Sequence, residues 1–418
     1  MVERNVMDST ALFTVALGLQ SPWEVEDIRF EPEQGEIHFD LVCRAKRLAC
    51  PCCGQAEQPI HDRLERTWQH LHFFQYQAYL HTDVPRVRCD GCQKTTQVAV
   101  PWARPGSGFT LLMDALVLAL AKKLPIAEIA KLFGVSAGRI WQALNVQVEA
   151  ARAQESHAEV TRIGVDEKHV GRCIGFISLF HDATRRRVLF GTSGRDAQTF
   201  ESFKTDFVAH GGKAEAVSAV SMDLSKAYRA GASQAFPEAA QCFDAFHVSK
   251  LVHEALEAVR RAEVKDVPDL KGTRWGTLKA PEDWTYKQIN DMHWLQRSGL
   301  KTARAWRMKE RFQEIHRRAS AGEPPEPLYR AWISWARRCR LEPFKKLGKT
   351  LKDHLPGILA AYEHQLTNAA AESINSQVQA AIVRGRGFRN LRHLLNIIYL
   401  TTGKLSHLPA PPFASAHA

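Results

Sequence analysis

From Arg162 to Val264 the sequence changes its apolar period repeatedly, and the order of those changes admits few folds. Ile163–Val165, Ile174–Phe180 and Val188–Phe190 read as three strands in succession, with a turn around Asp182–Arg185. A helix over 197–209 follows, stopped by Gly211-Gly212. Then come a strand at 216–222, a short helix at 226–231, a strand at 241–243 and a long helix from Ala245 to about Val264. Two of the apolar runs end on a carboxylate, Asp166 in Ile163-Gly-Val-Asp166 and Asp223 in Ala219-Val-Ser-Met-Asp223. A third carboxylate, Glu372, opens a late helix that reads Asn368-Ala-Ala-Ala-Glu372-Ser-Ile-Asn375.

That order of strands and helices matches a ribonuclease-H-like α/β domain. Two strand-end aspartates and one helical glutamate suit two-metal phosphodiester chemistry, in which clustered carboxylates hold divalent ions beside the attacking and leaving oxygens. On the late helix Glu372, Asn375 and Gln379 share a polar face, and Ile374, Val378 and Ala381 make the apolar one. The polar face points at metal or DNA while the other holds the helix down. Asp244 and His247 directly follow the strand at 241–243. They read either as support for the carboxylates and a contact to the scissile phosphate, or, for Asp244, as an ordinary helix N-cap.

The partner class comes from charge. The 418 residues carry a net charge of +11, and a basic excess of this size favours a polyanion, nucleic acid first. The excess is local: residues 301–352 hold 15 Lys and Arg against five Asp and Glu. Six tryptophans lie in the helical insertion at 265–355, at 275, 284, 294, 306, 332 and 335, and read either as core or as stacking platforms for bases. Arg384, Arg386 and Arg389, just after the Glu372 helix, read as phosphate contacts or as a solvated basic face. No apolar run is long enough to span a bilayer, and the opening residues have no signal-peptide pattern, so a cytoplasmic location is expected.

Of nine cysteines, five crowd between Cys50 and Cys92. Cys50-Pro-Cys-Cys53 and Cys89-Asp-Gly-Cys92 are two C-x2-C pairs, and together they make a four-thiolate zinc site with an inserted hairpin between them. Cys52 is expected to be a bystander, and Cys43, Cys173, Cys242 and Cys339 small buried hydrophobes. The preceding segments, Val25–Phe30 and Ile37–Leu41, alternate apolar and polar residues as half-buried strands do. Residues 125–144 read as helix, tight turn at Gly134, and a second helix capped by Ser136. As a helix-turn-helix, the pair would face the major groove with Ser136, Ala137, Arg139 and Gln142; the alternative is a plain helical hairpin between domains.

Over nearly its whole length the chain resembles the DDE-type transposases of bacterial insertion sequences, in the family called ISL-three. The resemblance is most specific at Cys242-Phe-Asp244-Ala-Phe-His247, Leu270-Lys-Gly272-Thr-Arg274-Trp, Lys301-Thr-Ala-Arg304-Ala and Asn368–Arg389. It implies a catalytic triad of Asp166, Asp223 and Glu372 on Mg²⁺ or Mn²⁺, with Asp244 and His247 as an accessory pair, and a structural Zn²⁺ in the cysteine module. Where the family usually has Gly after the catalytic Glu, this chain has Ser373.

The expected architecture is multidomain α+β. It comprises an N-terminal zinc-binding β module at 1–104 and a helix-turn-helix region at 105–155. A ribonuclease-H-like catalytic domain at 156–264 and 356–407 follows, interrupted by an all-helical insertion at 265–355. The expected function is binding of terminal inverted repeats, metal-dependent cleavage and strand transfer on double-stranded DNA, by a homodimer or larger assembly in the bacterial nucleoid. The rival readings are a catalytically inactive DNA-binding regulator derived from a transposase, and a nuclease of the same fold.

Overall fold

The computed structural model of the chain describes residues 8–243, 245–366 and 368–411. Helix α1 (Ser9–Ala16) precedes six strands: β1 (Trp23–Glu31), β2 (Glu36–Cys43), β3 (Arg47–Leu48), β4 (Gln58–Gln69), β5 (Gln77–Arg88) and β6 (Thr95–Gln97). They form one sheet in the order β1-β2-β5-β4-β3, with β6 beside β5. Alternation is plain in β2, whose Ile37, Phe39, Leu41 and Cys43 are buried with Trp23, Trp68, Leu80 and Trp102 in the core of this module. β4 and β5 make the hairpin expected between the cysteine pairs.

The hairpin's turn end docks on three helices, α2 (Leu111–Ala121), α3 (Ile126–Leu132) and α4 (Ala137–Ala153). Gln69 is the joint. Its backbone N–H donates to Gly108 at 2.9 Å, and its buried side chain donates to the Phe133 carbonyl at 3.0 Å. α2 is tied down by a buried carboxylate: Asp114 accepts from Arg104 at 2.7 Å and from Gln147 of α4 at 3.0 Å.

The second sheet is built from β7 (Arg162–His169), β8 (Phe176–Asp182), β9 (Arg187–Ser193), β10 (Ala219–Met222) and β11 (Ala240–Phe243), with helices α5 (Gln198–Ala209), α6 (Lys226–Ala235) and α7 (Ala245–Glu263). Its order is β11-β10-β7-β8-β9. β7, β8 and β9 pair antiparallel, β10 pairs parallel with β7, and β11 pairs parallel with β10. This is the ribonuclease-H-like topology. One expectation needs correction: β7 does not end at Asp166 but runs on to His169, because its pairing with β8 continues to His169↔Phe176.

Helices α8 (Arg274–Leu278), α9 (Tyr286–Arg297), α10 (Lys301–Ser320), α11 (Pro325–Arg338) and α12 (Glu342–Glu363) follow, then α13 (Asn368–Arg384) and α14 (Leu391–Thr402). Each sheet face has its own core. Ile163, Val165 and Phe180 pack on Phe200, Phe203 and Phe207 of α5, and this core continues without a break into Phe312, Trp332 and Phe344 of the helical insertion. Ile177, Leu179 and Val188 face the other way, onto Leu144 and Val148 of α4, Val378 of α13 and Ile398 of α14. α12 runs straight through the expected 355/356 boundary. Its Gly357 lies against β11, where a Cβ would come within 2.5 Å of the Phe243 ring. Trp306 and Trp332 are core residues, whereas Trp275, Trp294 and Trp335 are exposed. Cys43, Cys242 and Cys339 are buried as expected, but Cys173 is exposed, because it falls in the turn between β7 and β8.

Candidate active site and nucleic-acid interface

β10 pairs with β7 only as far as Ser221↔Gly164. Beyond that point the two strands part, and among the described residues β7 keeps β8 alone as a paired neighbour. Carrying the same register two residues on would set Asp223, just past the carboxyl end of β10, opposite Asp166 of β7. An open α/β sheet characteristically offers its ligand crevice there. The Asp166 carboxylate is held on both oxygens: Oδ1 accepts the Glu167 backbone N–H at 2.8 Å, and Oδ2 accepts the side-chain amide of Asn375. Asp223 Oδ1 accepts the Ser225 backbone N–H at 2.9 Å. His247 Nε2 lies 3.9 Å from Asp166 Oδ1. Asp244 lies outside the described residues.

Behind the crevice the packing is tight. Gly164 sits against the ring of His181, where a Cβ would come 2.2 Å from Nε2. Burial pushes His181 down to about 4, against the pull of Asp166 and Asp182, so the ring is neutral. Tyr228 of α6 is buried, and its hydroxyl meets that of Ser178 at 2.6 Å. Burial raises its pKa well above that of a free phenol, and Glu167, Asp223 and Asp166 add to the effect. The sequence singled out none of Gly164, Ser178, His181 and Tyr228. The one visible signal was a glycine inside a strand, which marks close approach by a neighbour.

α13 lies across this crevice. Ile374, Val378 and Ala381 are buried in the second core, and the opposite face is open. Asn375, on the face expected to point at metal or DNA, donates its side-chain amide to Asp166. Glu372 stands one turn earlier on the same face, about 4.5 Å back along the axis, and is exposed. Among the described residues Asp166, Asp223 and Glu372 do not bring ligand oxygens all within 4.8 Å of one another. Gln379 is exposed. Arg384 is turned to the Lys122 carbonyl, whereas Arg386 and Arg389 are exposed at the rim of a cavity of about 500 Å³ between α13, α14 and α3.

α3 and α4 meet through a tight turn. Gly134 is left-handed, at φ +63°, and the Val135 N–H reaches back to the Ala130 carbonyl at 2.9 Å. Ser136 caps α4 by accepting from the Arg139 N–H. α4 is longer than expected, and Leu144, Gln147, Val148 and Ala151 bury its later turns. On its first turns Ser136, Ala137, Arg139 and Gln142 are all exposed. Arg139 is partly committed, since it donates to the Gly108 carbonyl at 3.0 Å and stacks over Phe109.

In the cysteine module two matching turns converge. Gly54 N–H closes on the Cys50 carbonyl and Gln93 N–H on the Cys89 carbonyl, each at 2.9 Å, and both residues are left-handed. The thiols of Cys50, Cys53, Cys89 and Cys92 all lie within 4.8 Å of one another. Cys50 and Cys92 are 3.8 Å apart, and Cys53 and Cys89 3.4 Å. Zn–S bonds of about 2.3 Å in a tetrahedron place sulfurs about 3.8 Å apart, so the donor set fits and supports a structural zinc. Backbone N–H groups of Cys53 and Cys52 hold the Cys50 thiol down to about 7.

Comparison with known proteins agrees in all three regions. A family model described as a transposase, of the ISL3 group, matches residues 163–398. The helix-turn-helix domain of transposase family ISL3 matches 98–145, and the zinc-finger of transposases IS204/IS1001/IS1096/IS1165 matches 46–92. The chain is 28% identical over 453 residues to the transposase for insertion sequence element IS1557 of Mycobacterium tuberculosis, covering 98% of this chain and 99% of that protein. It is 22% identical over 405 residues to the transposase for insertion sequence element IS1001 of Bordetella parapertussis, covering 93% and 96%. No helix among the described residues is long and apolar enough to cross a membrane.

Proposed function

The chain belongs to the ISL3 family of transposases, and from that premise we propose that it binds the terminal inverted repeats of its own element, cleaves DNA there and joins the freed 3′-OH to target DNA. The observation that supports this reading is that Asp166 and Asp223 each stand two residues beyond the last β7–β10 pair, Ser221↔Gly164, where the two strands part. In this reading Asp166, Asp223 and Glu372 hold Mg²⁺ or Mn²⁺. Bound there, a divalent pair supplies activation of the attacking oxygen and stabilisation of the leaving one. The protein's own part is to fix the carboxylates in advance. Asn375 and the Glu167 N–H orient Asp166, and the Ser225 N–H orients Asp223. Asp244 and His247 act as accessory groups for Asp166 or the scissile phosphate.

Recognition falls to the first turns of α4, with Ser136, Arg139 and Gln142 at the bases, and to Gln379, Arg384, Arg386 and Arg389 along the backbone. The working division is 1–104, 105–155, 156–264 with 356–407, and 265–355. Pairing of two element ends calls for at least a dimer, and the DNA substrate places the protein at the nucleoid.

A second reading has one observation in its favour: Glu372 is exposed and does not join the two aspartates. A regulator that binds ends without cutting them fits that. Asp166→Asn, Asp223→Asn and Glu372→Gln separate the two. On the first reading each lowers cleavage and joining on the order of a hundredfold or more while end binding stays. Wild-type strand transfer by Glu372→Gln would remove Glu372 from the triad, and a wild-type chain that binds ends but never cuts would establish the regulator.

A further inference from the structure

The basic excess of the insertion is not evenly compensated. Arg311, Arg318 and Arg330 are matched to Glu314, Glu323 and Glu326. On α12 the matching fails. Phe344, Leu347, Leu351 and Leu355 bury one face, and the other presents Lys345, Lys346, Lys349 and Lys352, all exposed. Lys345 lies 3.7 Å from Glu342, but among the described residues Lys346, Lys349 and Lys352 have no carboxylate within 4.0 Å. Gly348 lets α11 approach closely, since a Cβ there would lie 3.1 Å from Ala336 and from Arg337 Cγ. That approach sets the exposed Arg337 beside the lysines and shapes an open groove of about 400 Å³, with Glu342 and Asp353 as its acids.

We propose that this α11–α12 groove is a second, sequence-independent seat for the backbone of duplex DNA, apart from the helix-turn-helix. The proposal rests on the transposase reading above. Lysines are point charges on flexible stems; they follow phosphates and do not read bases. From Lys345 to Lys352 the helix rises about 10 Å, or about three base steps of one strand. Such a stripe can neutralise two to four phosphates. It is held rigid from below by the core, and α12 runs on to pack against β11 at the edge of the catalytic sheet.

The test is a full-length Lys346→Gln/Lys349→Gln/Lys352→Gln variant, compared with wild type on an end duplex and a random duplex across a salt series. Loss of three phosphate contacts lowers the slope of log affinity against log salt by about 2–3 for both duplexes. The preference for the end over random DNA stays unchanged. A Lys→Arg triple at the same positions restores the slope, which excludes misfolding as the cause. An unchanged slope in the Gln triple overturns the proposal and leaves a merely solvated face. A wild-type chain that binds both duplexes equally, with the slope still falling in the variant, would overturn end recognition but not the groove.

Discussion

Gly164→Ala is a small change with a large expected effect. The added methyl would lie 2.2 Å from Nε2 and 2.3 Å from Cε1 of His181. Neither side can yield cheaply. The His181 side chain is buried on the interior strand β8, and Gly164 makes the last pair that joins β7 to β10. Overpacking a core costs about 1–3 kcal/mol, and the stiffness of both partners argues for about 2–3. Urea unfolding should show a lower midpoint at unchanged slope. Cleavage should fall further than the stability loss explains, because any lift of β7 moves Asp166 away from Asp223. His181→Ala placed in the same chain removes the ring the methyl strikes. The double variant should therefore recover about 1–2 kcal/mol relative to the sum of the singles. Additivity to within about 0.5 kcal/mol, or a Gly164→Ala chain as stable as wild type, would refute the close approach as the reason for glycine.

Two further outcomes follow from the buried histidines and the thiols. His181 is pushed down to about 4 by burial, from about 6.5 in an unfolded chain, so its contribution is complete above about pH 6.5 and is lost as pH falls toward 4. The loss is about 3 kcal/mol in all, and His70 and His157 add to it in the same direction; unfolding midpoints that stay flat from pH 6.5 to 4.5 would contradict this. Purified chain should carry about one zinc, as one four-thiolate site requires, and Cys50→Ser or Cys89→Ser should release it and open β3–β5 to protease; zinc-free wild type with the same protease resistance would rule the site out.

The parts legible in the sequence are those fixed by short-range pattern. Period-two alternation marked β1 and β2, short apolar runs marked the strands of the catalytic sheet, and thiol spacing marked the cysteine cluster. Gly134 and Ser136 marked the turn and cap between α3 and α4. What escaped depends on partners far away in sequence. Asp166 looked like a strand end because its apolar run stops there, yet β8 keeps pairing with β7 to His169. Asn375 looked like a DNA contact because its face is polar; only the placement of α13 against β7, across some two hundred residues of chain, reveals Asp166 as its partner. Pro356 argues locally for a break in α12, but the packing of Gly357 on Phe243 keeps one helix running from the insertion to the sheet edge. The tryptophans divide between core and surface on tertiary grounds alone.

The second core joins α4 to α14, α13 and the underside of the catalytic sheet. Arg392 of α14 grips Glu149 of α4 with two bonds of 2.6 and 2.7 Å, and Asn396 bonds Asn145 beside it. The turn that would meet base edges and the crevice that would meet the scissile phosphate are thus parts of one solid piece, with no tether between them. A protein built this way is a calliper. On the proposed function, the packing of α4 on α14 would fix the distance along the DNA between the sequence read and the bond broken.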